Sequence, residues 1–148
     1  MRTIEAQQIT DTISQLCMEA NYTLGPDMLA AFDRALDTER SPAGRQVLNM
    51  FKENARIART ERIPYCQDTG FVICFADVGQ DVHINGGLLE DAINAGVSRG
   101  YTEGYLRASI VEGPFHRKNT GDNTPAVIHT QLVHGDRLSL MLMAKGGG

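Results

Sequence analysis

The chain has 148 residues, a formal net charge of −4, 42% hydrophobic and 22% charged side chains, which suits a soluble globular protein with a core of its own and excludes a broadly basic surface that would gather nucleic acid or anionic lipid. No stretch approaches the roughly 18 consecutive apolar residues of a membrane span, and Met1-Arg2-Thr3-Ile4-Glu5 lacks the apolar core of a signal peptide, so a cytoplasmic protein is expected. The three cysteines, Cys17, Cys66 and Cys74, are an odd number, which argues against a disulfide framework and leaves free thiols for packing or metal binding.

The first 62 residues read as helical. Ile4, Ile9, Ile13, Leu16 and Ala20 recur at helical spacing, with Cys17 beside the stripe. Gly25-Pro26 breaks this pattern, and residues 27–38 resume it through Met28, Leu29, Phe32, Ala35 and Leu36. Ser41-Pro42 starts a third helix, with serine as N-cap and proline at the first helical position. That helix is expected to turn Val47, Leu48, Phe51, Ala55 and Ala58 inward. Pro64 ends it.

Beyond Pro64 the pattern changes. Phe71-Val72-Ile73-Cys74-Phe75-Ala76 is a continuous apolar run of strand-forming residues and predicts a buried strand. Residues 88–104 return to helical periodicity, and 113–125 form a polar, turn-rich loop. Residues 126–134 and 137–144 flank Gly135-Asp136, and Leu138, Leu140, Leu142 and Ala144 alternate, which predicts a β-hairpin. The fold class expected is α+β in a single domain: a helical layer over 1–62 packed on a mixed α/β part over 63–148 with a late hairpin.

Four segments carry chemistry. Pro64-Tyr65-Cys66-Gln67-Asp68-Thr69-Gly70 lies between a helix and a strand and offers a thiol, an amide, a carboxylate and a hydroxyl in consecutive positions. From spacing alone, a soft-metal or iron–sulfur ligand and a capped turn with a half-buried cysteine both remain open. Cys17 and Cys74 sit in apolar patterns and read as small core residues. Arg107, with Ser109 nearby, can grip a carboxylate through its planar fork. The segment 117–126 holds two cations and a cluster of turn formers, most of which read as a rigid connection. Lys145-Gly146-Gly147-Gly148 follows a strand, where glycines let backbone N–H groups approach an anion closely.

Pro64-Tyr65-Cys66-Gln67-Asp68-Thr69-Gly70, Gly104-Tyr105-Leu106-Arg107-Ala108-Ser109, Asn119-Thr120-Gly121-Asp122-Asn123-Thr124-Pro125-Ala126 and Lys145-Gly146-Gly147-Gly148 come in the order seen in the class I fumarase and L-tartrate dehydratase family. The chain resembles the N-terminal part of that family's α-type catalytic region over nearly its whole length. The departure is Gly113-Pro114, where the family pattern has an acidic residue before the proline, which bears on loop geometry or substrate choice. The resemblance implies a hydro-lyase with a [4Fe-4S] cluster held by three cysteines. Cys66 matches one ligand, and the other two are expected beyond Gly148. It implies that Gln67 and Asp68 lie beside a small dicarboxylate, that Asp68 supports the catalytic base, that Arg107 holds a substrate carboxylate, and that Gly146 and Gly147 meet substrate oxygens. It implies as partners the remaining α-type region and a β-type domain or subunit, in a homo- or hetero-oligomer. The motifs do not separate fumarate hydration from tartrate dehydration, and a folded fragment or scaffold subunit inactive by itself is the alternative.

Overall fold

A computed structural model describes residues 1–147; Gly148, the end of the terminal glycine motif, lies outside the described residues. The elements run β1 (Arg2–Glu5), α1 (Ala6–Tyr22), α2 (Pro26–Thr38), α3 (Pro42–Glu61), β2 (Phe71–Gly79), β3 (Val82–Asn85), α4 (Leu89–Glu103), β4 (Val127–Val133) and β5 (Leu138–Lys145). The class is α+β, as the clustering of helices early and strands late predicts. Among the described residues no helix is long and apolar enough to cross a membrane.

The core lies between α1, α4 and the inner face of a three-stranded sheet. Val72 and Cys74 of β2 share one buried cluster with Ile9, Ile13 and Cys17 of α1 and Ile93, Val97 and Tyr101 of α4, and Ala76 of β2 is buried as well. Each aliphatic side chain of this set contributes about 1.5–3 kcal/mol on leaving water. The two helices approach closely because Gly96 and Gly100 of α4, with Gly104 just past its end, carry no side chains where α1 passes. A Cβ on Gly96 would lie 2.6 Å from the Ile13 Cβ, and one on Gly100 would lie 2.8 Å from the Ser14 carbonyl oxygen. Thr10 Oγ1 donates to the Ala92 carbonyl at 3.0 Å, and the Tyr22 hydroxyl donates to the Gly104 carbonyl at 2.8 Å, closing the two ends of the pair.

Three expectations need correction. Residues 126–134 and 137–144 do form strands, but they do not pair as a hairpin. β2 inserts between them, parallel to β4 and antiparallel to β5, giving the order β4-β2-β5. The linker 134–137 crosses over the end of β2 at Gly79, where a Cβ would sit 2.5 Å from the Gly135 carbonyl oxygen. Gly79 N–H donates to the Arg137 carbonyl and Gln80 N–H to the Val133 carbonyl, so the crossing loop satisfies the end of the inserted strand. Second, the helical layer over 1–62 begins with a strand. Ile4 belongs to β1, which pairs in parallel with β3. Glu5 ends that strand and caps α1 through reciprocal bonds with Gln8.

Third, α3 does not bury its whole predicted stripe. Ala55 and Ala58 are buried, but Val47 and Phe51 are 45% and 49% exposed. α2 has no buried residue. These two helices hold each other through Phe32 and Phe51, with ring centroids 5.9 Å apart, and through the Lys52–Asp33 ion pair. The serine cap of α3 is as predicted: Ser41 Oγ accepts from Gly44 N–H at 3.4 Å and Pro42 opens the helix.

Candidate functional site

The segment after α3 is tied down before it reaches Cys66. Tyr65 N–H donates to the Asn21 carbonyl at 3.0 Å, and Asn54 Nδ2 donates to the Tyr65 carbonyl at 2.7 Å. The loop therefore starts from a point held by both α1 and α3. It ends at Gly70, whose φ of +66° lies in the left-handed region and whose α-carbon rests on the Lys145–Gly146 peptide. A Cβ on Gly70 would meet the Lys145 carbonyl carbon at 2.5 Å, so only glycine lets these two segments touch. Between the anchors, Asp68 Oδ1 accepts from Gly70 N–H at 3.0 Å, and its Oδ2 faces Gly146, where a Cβ would lie 3.0 Å away.

The segment after α4 approaches from the other side. Thr69 Oγ1 donates to the Arg107 carbonyl at 3.0 Å, and the Tyr101 hydroxyl donates to the Thr69 carbonyl at 2.6 Å. Burial pushes the Tyr101 phenol up, with Cys17 adding to the shift, which keeps the hydroxyl a neutral donor. The third motif lies across both. Asn119 Nδ2 donates to the Ala108 carbonyl, and the fully buried Asn123 bonds to Ser109, Ile110 and Gly70.

These contacts form a cleft of about 310 Å³ lined by Asp68, Gly70, Phe71, Arg107, Ser109, Ile110, Lys145 and Gly147. Two cations and one carboxylate on its walls suit an anion. Of the predicted site residues, Asp68, Arg107 and Gly147 line it, and Gly146 abuts Asp68. Cys66 and Gln67 are exposed and lie outside the lining. Four other clefts among the described residues, two of them about 480 Å³, are lined by no residue of the four motifs.

The cysteines divide sharply. Cys17 and Cys74 are fully buried; burial pushes their thiols from the ordinary 9.0 to about 12 and about 11, with each other's proximity adding to the shift at Cys17. Neutral buried thiols make poor ligands, because the thiolate is the metal-binding form. Cys66 is exposed and free. Among the described residues no three His, Cys, Asp or Glu side chains gather into a metal site. Cys66 therefore stands among the described residues as an exposed thiol with no second metal-ligating cysteine beside it.

Sequence reasoning placed Thr69 and Asn123 in motifs without their linking role and did not single out Tyr101; the three join the motifs to one another. The signal for Asn123 was its place in a dense run of turn formers, where a backbone of positive φ favours asparagine.

The four motifs also have counterparts in known proteins. The family model for fumarate hydratase (Fumerase) matches residues 10–148. The chain is 34% identical over 148 residues to the anaerobic class I fumarate hydratase of Escherichia coli (strain K12), covering 98% of this chain and 27% of that protein. It is 30% identical to fumarate hydratase 2 of Leishmania major, covering 98% and 26%. It is 26% identical over 145 residues to the L(+)-tartrate dehydratase subunit alpha of Escherichia coli (strain UTI89 / UPEC), covering 95% and 47%. The chain thus spans about a quarter of the length of these fumarate hydratases and about half of the tartrate dehydratase subunit. With the match running through all four motifs, this chain belongs to the fumarate hydratase (Fumerase) family.

Proposed function

We propose that this chain is part of a cytoplasmic, iron–sulfur-dependent hydro-lyase that reversibly hydrates fumarate to L-malate. The observation that carries the reading is the cleft itself: Asp68, Arg107 and Lys145–Gly147, far apart in sequence, meet around one hollow with two cations and one carboxylate. In this reading the Arg107 fork takes a substrate carboxylate and Lys145 adds a point charge nearby. Gly146 and Gly147 offer N–H groups to substrate oxygens; a side chain at Gly146 would crowd Asp68. The family resemblance also assigns Gln67 to the substrate, though it is exposed and does not line this cleft. Asp68 has one oxygen committed to Gly70 N–H, and its second is left to hold a proton-transfer partner in place, so it supports the base. Cys66 supplies one of three thiolates to a [4Fe-4S] cluster. When bound, that cluster supplies the Lewis acidity that makes hydroxide a tolerable leaving group.

Completion of the site falls to the rest of an α-type region and a β-type domain or subunit, within a homo- or hetero-oligomer. The length of the relatives supports this, as does the subunit name of the tartrate dehydratase. That relative also favours a second reading, dehydration of L-tartrate to oxaloacetate.

The test is to purify the complete protein anaerobically and assay fumarate, L-malate and L-tartrate. Fumarate–malate turnover supports the first reading, tartrate turnover alone the second, and neither sinks both. Cys66→Ser is expected to abolish the visible absorbance of the cluster, whereas Cys17→Ser and Cys74→Ser leave it in place. Arg107→Lys keeps the charge and loses the fork, so KM is expected to rise with the fold intact. The 148-residue chain by itself is expected to fold as one domain and to stay inactive after anaerobic reconstitution with iron and sulfide.

A further inference from the structure

Asn123 is fully buried and stands at φ +63°, a left-handed conformation that asparagine tolerates better than most residues. Its side chain faces two segments at once. Oδ1 accepts from Ser109 N–H at 2.7 Å and from Ile110 N–H at 3.2 Å, and Nδ2 donates to the Gly70 carbonyl at 3.0 Å. Those partners belong to opposite walls of the cleft. Ser109 and Ile110 follow Arg107. Gly70 follows Asp68, takes its N–H into the Asp68 carboxylate, and carries the Lys145–Gly146 peptide against its α-carbon. One amide thus spans the wall that holds Arg107 and the wall that holds Asp68, Lys145 and Gly147. The only other side-chain bond found between the first and second motifs among the described residues is from Thr69 Oγ1 to the Arg107 carbonyl.

We propose that Asn123 is a positioning residue that sets the gap between the Arg107 wall and the Asp68–Gly147 wall. The proposal rests on the dicarboxylate-binding reading of the cleft. Asn123 does not line the hollow, so it acts through the backbone of its partners. A fixed gap matters because a dicarboxylate presents two anionic ends at a set spacing, and a displacement of about 1 Å in a reacting group lowers turnover on the order of a hundredfold. Asparagine suits the task because it offers an acceptor and a donor on one short, planar group. Aspartate offers only the acceptor when ionised, and glycine offers neither; both accept the left-handed backbone.

The experiment uses the complete protein with Asn123→Asp and Asn123→Gly. Asn123→Asp keeps an acceptor for Ser109 and Ile110 and loses the bond to Gly70; Asn123→Gly loses all three bonds. Two readouts are taken below the unfolding temperature of each variant. The first is amide hydrogen exchange, which does not depend on the reaction. Exchange at Ser109 and Ile110 is expected to rise in the glycine variant and to stay near that of the natural protein in the aspartate variant. The second is steady-state kinetics on fumarate, L-malate and L-tartrate. kcat/KM is expected to fall on the order of a hundredfold in the glycine variant and less in the aspartate variant, with cluster absorbance retained. Unchanged kcat and KM in a variant whose only defect is a lower Tm would overturn the proposal, as would unchanged exchange at Ser109 and Ile110 in the glycine variant. If the glycine variant does not fold, the aspartate variant decides, and kinetics equal to those of the natural protein overturn the proposal. If the natural protein turns over none of the three acids, the reading of the reaction fails. Exchange at Ser109 and Ile110 then decides alone whether Asn123 holds the wall.

Discussion

The two helix pairs look alike in sequence and behave differently in the fold. α1 and α4 lie in contact through glycine positions, bury Ile9, Ile13, Cys17, Ile93, Val97 and Tyr101, and roof the inner face of the sheet. α2 and α3 have equally clear apolar periodicity, yet Met28, Val47, Met50 and Phe51 remain exposed and only Ala55 and Ala58 are buried. Periodicity states which face of a helix wants a partner; it does not state whether the partner is present. Stability is concentrated in the first pair. The second pair contributes a platform that delivers the chain to Tyr65 and Cys66, fastened by Asn54 from α3 and by Asn21 from α1.

The contrast can be broken most directly by truncation. Ile13→Ala, in the fully buried pair, is expected to cost about 4 kcal/mol in chemical denaturation. Phe51→Ala loses a half-exposed ring and its contact with Phe32, and is expected to cost about 1 kcal/mol. Equal losses would mean that the second pair is as tightly packed as the first.

A sharper version uses one substitution with opposite signs. Gly96→Ala gains helix propensity but drives a methyl into Ile13 and the Thr10 carbonyl, so a net loss of about 1–2 kcal/mol is expected. Gly44→Ala in α3 meets only the flexible Glu39 side chain, and a gain of about 0.5 kcal/mol is expected. A stabilising Gly96→Ala would refute the close approach of α1 and α4.

The smallest effect is one of pH. The Cys17 and Cys74 thiols are raised on folding, to about 12 and about 11. Unfolded thiols lose their protons first as pH rises past 9.0, so this contribution to stability is present below that value and is lost from 9.0 up to the folded values. Cys17→Ala is expected to flatten the alkaline limb of a stability–pH curve. In the folded, cluster-free 148-residue chain a thiol reagent is expected to label Cys66, and Cys17 and Cys74 only on unfolding.

Much of this architecture is local chemistry that can be read along the chain. Ser41 and Pro42 start α3 because a hydroxyl acceptor and a preset φ suit a helix N-terminus wherever they occur. The run from Phe71 is a strand because β-branched and aromatic residues favour one, and Cys74 inside it is core for the same reason. The four ordered motifs carried the family resemblance, and the family match over residues 10–148 runs through all of them. Residues far apart in sequence decided the rest. β2 enters between β4 and β5 because its ladder completes both strands and Gly79 lets the linker cross, which the alternation of Leu138, Leu140 and Leu142 cannot distinguish from a hairpin. Gly70 meets the Lys145–Gly146 peptide, and Asn123 spans from Gly70 to Ser109 and Ile110, only after the sheet and α4 have brought them together. Local composition sets what each segment can do, and long-range hydrogen bonding and packing choose which segments meet.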